Sequence, residues 1–144
     1  MNETLKGVEN ILMSSREAII ETWLQRLHTE VSPRYSARPQ KELVGTISAA
    51  FDANVFALVN DDYSKLDAAI AKIGKLRGKA GFGLSEVQKA FELFRSIVFP
   101  ILEQRMEPEE VFPVLERINA GLAYTIHKFS DRFQDLHERG IKRH

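Results

Sequence analysis

The sequence predicts an all-α protein, a bundle of five or six helices with a long helix at its C-terminal end. Three observations predict it. Apolar residues recur at steps of three and four along most of the chain. No run alternates with the period of two that a half-buried strand requires. The last third carries one continuous apolar stripe: Val111, Leu115, Ile118, Leu122, Ile126, Phe129, Phe133 and Leu136. A helix bearing that stripe is roughly 40 Å long at 1.5 Å per residue.

Each element has its own local signals. Residues 3–12 read as a short helix with Leu5, Val8 and Leu12 on one side. Ser14-x-x-Glu17 has the pattern of a capping box and opens a second helix. Its stripe is Ile20, Trp23, Leu24, Leu27 and Val31, and Ser32-Pro33 stops it. Val31 to Arg38 reads as a loop. Pro39 suits the first turn of a third helix that runs to about Asn60. That helix carries Leu43, Ile47, Phe51, Val55 and Leu58, with Val44, Phe56 and Val59 widening its apolar surface, so it should be central.

Asp61 to Ser64 is a turn and cap. The fourth helix follows with Leu66, Ala69, Ile70, Ile73 and Leu76, and Gly78 is its natural end. Gly78 to Gly83 reads as the most flexible connector. Ser85-x-x-Gln88 repeats the capping-box pattern and opens a fifth helix with Val87, Phe91, Phe94, Val98 and Ile101 on one face. Pro100 lies inside it and predicts a kink. The acidic stretch Glu103 to Glu110 holds Pro108 and reads as a turn. The final helix starts between Pro108 and Pro113. Glu109 and Glu110 near its start, with Lys142 and Arg143 near its end, complement the helix dipole. The aromatic residues Phe91, Phe94, Phe99, Phe112, Phe129 and Phe133 concentrate on the last two helices, where helical spacing makes them core.

Composition narrows the function classes. The chain has 144 residues, which suits a single domain over 1–144. Cysteine is absent, which excludes disulfides and thiolate chemistry and suits a reducing cytoplasm. Twenty basic residues balance twenty acidic ones, so a general nucleic-acid binder is not expected. No uninterrupted apolar run reaches the length of a membrane span, and no signal core follows Met1.

Candidate catalytic and ligand sites are few. Lys72, Lys75, Arg77 and Lys79 punctuate the glycine-containing stretch Lys72 to Gly83. A phosphate loop would need G-x-x-x-x-G-K-[ST] after a strand, and here Gly74 and Gly78 stand too close and Ala80 replaces the hydroxyl. The stretch reads instead as a helix C-terminus, whose carbonyls favour cations, followed by a connector. The histidines His28, His127, His137 and His144 show no metal-ligand spacing. No nucleophile motif or paired carboxylates occur, so the chain is expected not to be an enzyme and to need no cofactor.

Three stretches resemble a known family. They are Ile20-Glu-Thr-Trp-Leu-Gln-Arg-Leu27, then Lys72 to Gly83, then Leu84-Ser-Glu-Val-Gln-Lys-Ala-Phe-Glu-Leu-Phe-Arg95. Together they resemble the N-terminal domain of RsbT co-antagonist proteins, the RsbRD N-terminal family, which is also similar to the input region of some bacterial sensor histidine kinases. The resemblance implies a globin-like helical bundle without haem. It implies a sensory, dimerising domain ahead of an output domain, either a STAS domain of the stressosome or a kinase core. The residues support the haem-free reading, because the predicted fourth helix, Ser64 to Arg77, contains no histidine for a proximal ligand. The rival reading is a ligand carrier with an apolar cavity in that core. The long last helix, cut off at Gly140-Ile-Lys-Arg-His144, suits a module that feeds a downstream domain. It also suggests a homodimer through the last two helices, with Phe129, Phe133 and Leu136 at the interface.

Overall fold

The computed structural model describes the backbone of residues 3–142 and the side chains of residues 3–134. Leu136, His137, Lys142, Arg143 and His144 therefore lie outside the described side chains. Among the described residues there are six α-helices and no strand. They are α1 (Glu3–Ser14), α2 (Arg16–Arg26), α3 (Gln40–Asn60), α4 (Ser64–Lys79), α5 (Leu84–Arg105) and α6 (Pro108–Lys142). This agrees with the expected all-α class, and the arrangement is consistent with a globin-like bundle.

The first two helices are nearly continuous. The expected capping box at Ser14 does not form. Its hydroxyl donates backwards to the Ile11 carbonyl at 2.9 Å, and Ser15 takes the cap position without a side-chain bond. A serine near a helix end can serve either turn, and here the preceding helix claims it. The expected loop after α2 is instead two short helical turns. Leu27–Val31 is a π-helical turn and Pro33–Ala37 a 3-10 turn. Ser32 caps the latter by accepting from the Arg34 amide at 3.1 Å. The 3-10 turn carries Tyr35 into the core, where it is 2% exposed.

Helix α3 lies at the centre, touching α1, α2, α4 and α6. Leu43, Ile47, Phe51, Val55, Leu58 and Val59 are all buried, as its broad apolar surface predicts. Over an 18-residue window the mean hydropathy of α3 is 1.4, enough in length and composition for a bilayer span despite its interruptions. The bundle buries 61% of that window, so the core accounts for its apolar surface. The helix ends at Asp61, whose φ of 54° is left-handed. Asp62 then accepts from the Ser64 amide at 2.9 Å and helps start α4.

Helix α4 runs past the expected stop at Gly78. The chain turns at Gly81, whose φ is +79°. The Phe82 amide bonds to the Arg77 carbonyl at 3.0 Å, and the Gly81 amide to the Gly78 carbonyl at 3.2 Å. That pair of bonds is a Schellman motif, and only glycine adopts the required conformation without strain. The motif brings its own apolar anchor, Phe82, which is 5% exposed and packs edge-on to Tyr35 at 4.7 Å. The connector is therefore tied to the core at its middle. Helix α5 begins earlier than the Ser85 pattern suggests. Gly83 is the cap residue, and its amide donates to Glu86 Oε1 at 2.9 Å. The helix continues through Pro100, which is exposed.

Helices α5 and α6 are joined through Met106 and Glu107 and run antiparallel, since Arg95 meets Asn119 while Phe91 meets Phe129. Pro108 opens α6 at the position where its missing N–H costs nothing. The helix has 35 residues and is about 52 Å long. Its buried face is Val111, Val114, Ile118, Leu122, Thr125 and Phe129. Leu115 and Ile126, expected on the stripe, sit at its margin. The Thr125 hydroxyl is satisfied by the Gly121 carbonyl at 2.8 Å.

Phe129 is wholly buried and packs against Phe91, with ring centroids 5.0 Å apart. It also lies over Gly74 of α4, where an added Cβ would stand 3.5 Å from its ring. Phe129 thus finds its cover within the chain, supplied by α4 and α5. Phe129→Ala should cost about 3–5 kcal/mol, the usual range for emptying a buried aromatic site. Urea unfolding followed by circular dichroism would measure it; a loss below about 1 kcal/mol would contradict the packing.

Candidate functional site

The most unusual group in the core is Arg77, a cation that is only 2% exposed. Burial of a guanidinium is costly unless it is paired and hydrogen-bonded. Helix periodicity puts it there: Leu66, Ile70, Ile73 and Arg77 stand on one face of α4, and the first three are buried apolar residues. The other cations of the stretch, Lys72, Lys75 and Lys79, are exposed. Arg77 and Lys79 both fall in the last turn of α4, as the basic helix end predicts, but Arg77 is turned into the core.

Its partners come from α3. Arg77 Nη1 donates to Glu42 Oε2 at 2.8 Å, and Nη2 donates to the Thr46 hydroxyl at 3.1 Å. Glu42 and Thr46 are one helical turn apart, so the two bonds clamp α4 along one edge of α3. Arg38 approaches the same carboxylate, with Nε 2.9 Å from Oε2 and Nη2 2.8 Å from Oε1. The guanidinium carbon lies 5.3 Å from the Tyr35 ring centroid and 5.3 Å from that of Phe82. Two aromatic rings so placed stabilise a desolvated cation. Among the described residues, the Arg77 Nε–H has no hydrogen-bond partner. An orphaned buried donor costs roughly 1–3 kcal/mol, so its retention needs an explanation.

A small cavity adjoins the group. It has a volume of about 10 Å³ and is lined by Trp23, Tyr35, Thr46, Ile73, Arg77 and Phe91, among others. The Trp23 indole N–H donates to the Ala90 carbonyl at 2.8 Å, which fixes α2 against α5. A second core space of about 10 Å³ lies near Asn54, Tyr63 and Gly121.

A second polar knot closes the same end of the bundle. Glu86 takes hydrogen bonds from the Ser32 hydroxyl and the Gly83 amide, and Arg34 stands 3.4 Å away. Burial would raise this carboxyl, but those donors outweigh it and hold it below the ordinary range. Tyr35 lies between the knots. Burial pushes its phenol up to about 12, against the pull of Arg77. At Glu42 the hydrogen bond from Arg38, then that from Arg77, pulls the carboxyl down to about 2.

The remaining sequence candidates fall elsewhere. His28 pairs with the Ser36 hydroxyl at 3.0 Å, and His127 lies on the surface 3.9 Å from Asp131. Neither lines the core cavity. Phe129, expected at a dimer interface, has no exposed surface in the chain, and Phe133 is half-buried against the core. Leu136 lies outside the described side chains. The apolar surface that α5 and α6 do expose is at their other end. Phe112 is 64% exposed, and Phe99, Pro100 and Leu115 line a groove of about 530 Å³ between the two helices.

The chain matches the family model of the RsbT co-antagonist protein RsbRD N-terminal domain over residues 17–143, and it belongs to that family. It is thus a domain of a stressosome-type signalling family. No curated protein and no solved structure gives a match.

The Glu42 pairing makes a pH-dependent contribution. Its folded-state value lies below the ordinary value of 4.5, so its stabilisation is present above that value and is lost as pH falls toward about 2. Glu42→Gln should lower stability at neutral pH by about 3 kcal/mol, because it strips a buried cation of its counter-ion. It should also flatten the acid limb of the stability curve. Denaturant titrations across this pH range would show both, and an unchanged acid limb would remove Glu42 from the account.

Proposed function

We propose that the chain is a non-enzymatic sensory input and dimerisation module of a bacterial signal-transduction protein. In this reading it acts in the cytoplasm ahead of an output domain, either a STAS domain or a histidine kinase core. The observation that carries the reading is the course of α6. Phe129 is the last residue on it known to be wholly buried, and the helix continues to Lys142. That continuation is about 20 Å of rigid helix beyond Phe129. Helix shifts of about 1–2 Å are a common currency of regulation, and a continuous helix delivers them at a distance. A coupling of about 1–3 kcal/mol suffices.

The carrier reading is less well supported. A pocket for a lipid or haem takes roughly 300 Å³ or more, and the two core spaces around Arg77 and Gly121 are far smaller.

Dimerisation is assigned to the outer face of α5 and α6. Phe112, Phe99, Pro100 and Leu115 form an apolar strip there, which a two-fold partner would cover with the same strip. A symmetric pair of α6 helices would present two parallel outputs. Sedimentation at micromolar concentration should therefore show a dimer. Phe112→Asp combined with Leu115→Asp should yield a folded monomer, whereas Phe133→Asp should weaken the fold more than the assembly. A monomer from the unaltered chain would remove dimerisation from the proposal.

A further inference from the structure

An open groove of about 410 Å³ runs between α4 and α6, lined by Asp67, Ile70, Ala71, Lys128, Asp131 and Arg132. That volume lies in the range of small-molecule sites. The groove gathers two carboxylates and two cations, and none of the four pairs with another across it. Among the described residues, Lys128 and Arg132 form no ion pair, and Asp131 meets only His127, at 3.9 Å. We infer that the groove binds a small zwitterion of the free amino-acid class. Its carboxylate would rest on Lys128 and Arg132, and its ammonium on Asp67 and Asp131.

Helical spacing builds the two walls. Asp67, Ile70, Ala71 and Gly74 share one face of α4, and Lys128, Asp131 and Arg132 lie within one turn of α6. The two helices run in the same direction here, since Asp67 meets Tyr124 while Gly74 meets Arg132. Asp67 therefore stands at one end of the groove and Arg132 at the other. The Tyr124 hydroxyl donates to the Asp67 carboxylate, and the Tyr124 ring packs on Tyr63 with centroids 4.6 Å apart. Lys128 Nζ lies between the ends, 5.5 Å from the centroid of that same ring. A Cβ on Gly74 would stand 3.2 Å from Arg132 Nε and 3.6 Å from its Cδ, so the arginine stem lies against the bare backbone of α4.

Charge decides the class of ligand. A simple anion would meet Asp67 and Asp131 as it approached the two cations, and a simple cation would meet the reverse. An apolar molecule would strip water from four charges and return no hydrogen bonds. A molecule carrying both signs meets each wall with its opposite. The planar fork of Arg132 suits a carboxylate, and the two aspartates suit an ammonium. Ile70, itself 2% exposed, and Ala71 give an apolar floor for a side chain. Exposed charge pairs are individually weak, so the expected affinity is about millimolar. The site deepens the sensory reading and rests on it for its role: Lys128, Asp131 and Arg132 belong to the helix that continues to Lys142.

The test titrates the full chain, labelled with nitrogen-15, with each of the free proteinogenic L-amino acids at millimolar concentration. At least one should give saturating amide shifts centred on residues 67–74 and 128–132. The N-acetyl and the carboxamide derivatives of that amino acid each lose one charge and should bind about tenfold more weakly. Lys128→Gln combined with Arg132→Gln should remove saturation, and Asp67→Asn should weaken binding about tenfold. If a variant fails to fold, the two derivatives decide the matter on the unaltered chain. No saturation with any amino acid would overturn the inference. So would equal binding of the N-acetyl form, saturation that survives in the folded double variant, or shifts centred elsewhere. A dimer that binds no amino acid would sink this site and leave the sensory module standing. A monomer that still binds would remove dimerisation and keep the site.

Discussion

The architecture at one end of this bundle depends on the ion pair between Arg77 and Glu42. Without it, a fully desolvated cation would sit among Tyr35, Phe82, Ile73 and Thr46, and the arrangement would not hold. With it, α4 is held to α3, and the 3-10 turn and the α4–α5 connector each lay an aromatic ring on the guanidinium. Glu86 then ties that turn to the start of α5 through Ser32 and Gly83. Four segments distant in sequence meet around one charge. Buried ion pairs replaced by apolar residues of similar volume are often no less stable. What the charge adds is direction, since the guanidinium bonds to Glu42 and Thr46 one turn apart on α3.

The contact between α4 and α6 is held differently. Phe129 packs on Phe91 and lies against Gly74, so α4, α5 and α6 meet in an apolar contact. Along the α5–α6 pair, Arg95 donates to Asn119 at 2.9 Å. Arg117 Nε reaches the Leu58 carbonyl at 2.9 Å, and Tyr124 bonds to Asp67. These polar bonds set the position of α6 on α3 and α4. Helix α4 thus touches both α3 and α6.

The helices were legible in the sequence, and their boundaries were only partly so. The long apolar periods of α3, α4 and α6 place those helices within a few residues, because burial of one face dominates their energetics. The ends follow smaller terms. Ser14 and Ser85 both carry the pattern of a capping residue, yet Ser14 serves the preceding helix and Gly83 precedes Ser85 as the cap. Gly78 and Gly81 are equivalent as letters, and only the Phe82 anchor shows which one turns the chain. Leu115 and Leu122 differ in burial although both fit the stripe. The site itself was hidden by charge. Arg77 stands eleven residues after Leu66 and four after Ile73, on the apolar face, and that phase was the available signal. Among three exposed lysines it read as one more surface cation.

The central claim is that Arg77 is a sealed core residue with a free Nε–H. Arginine Nε–H groups on a surface exchange rapidly with water, and a buried one does not. Proton–nitrogen correlation spectra in the Nε region, recorded near pH 7 with hydrogen-exchange measurements, test this directly. The account predicts one arginine Nε–H signal with strong protection, shifted by Ala50→Val and absent in Arg77→Lys. Uniformly fast exchange of every arginine side chain in the folded protein would contradict it.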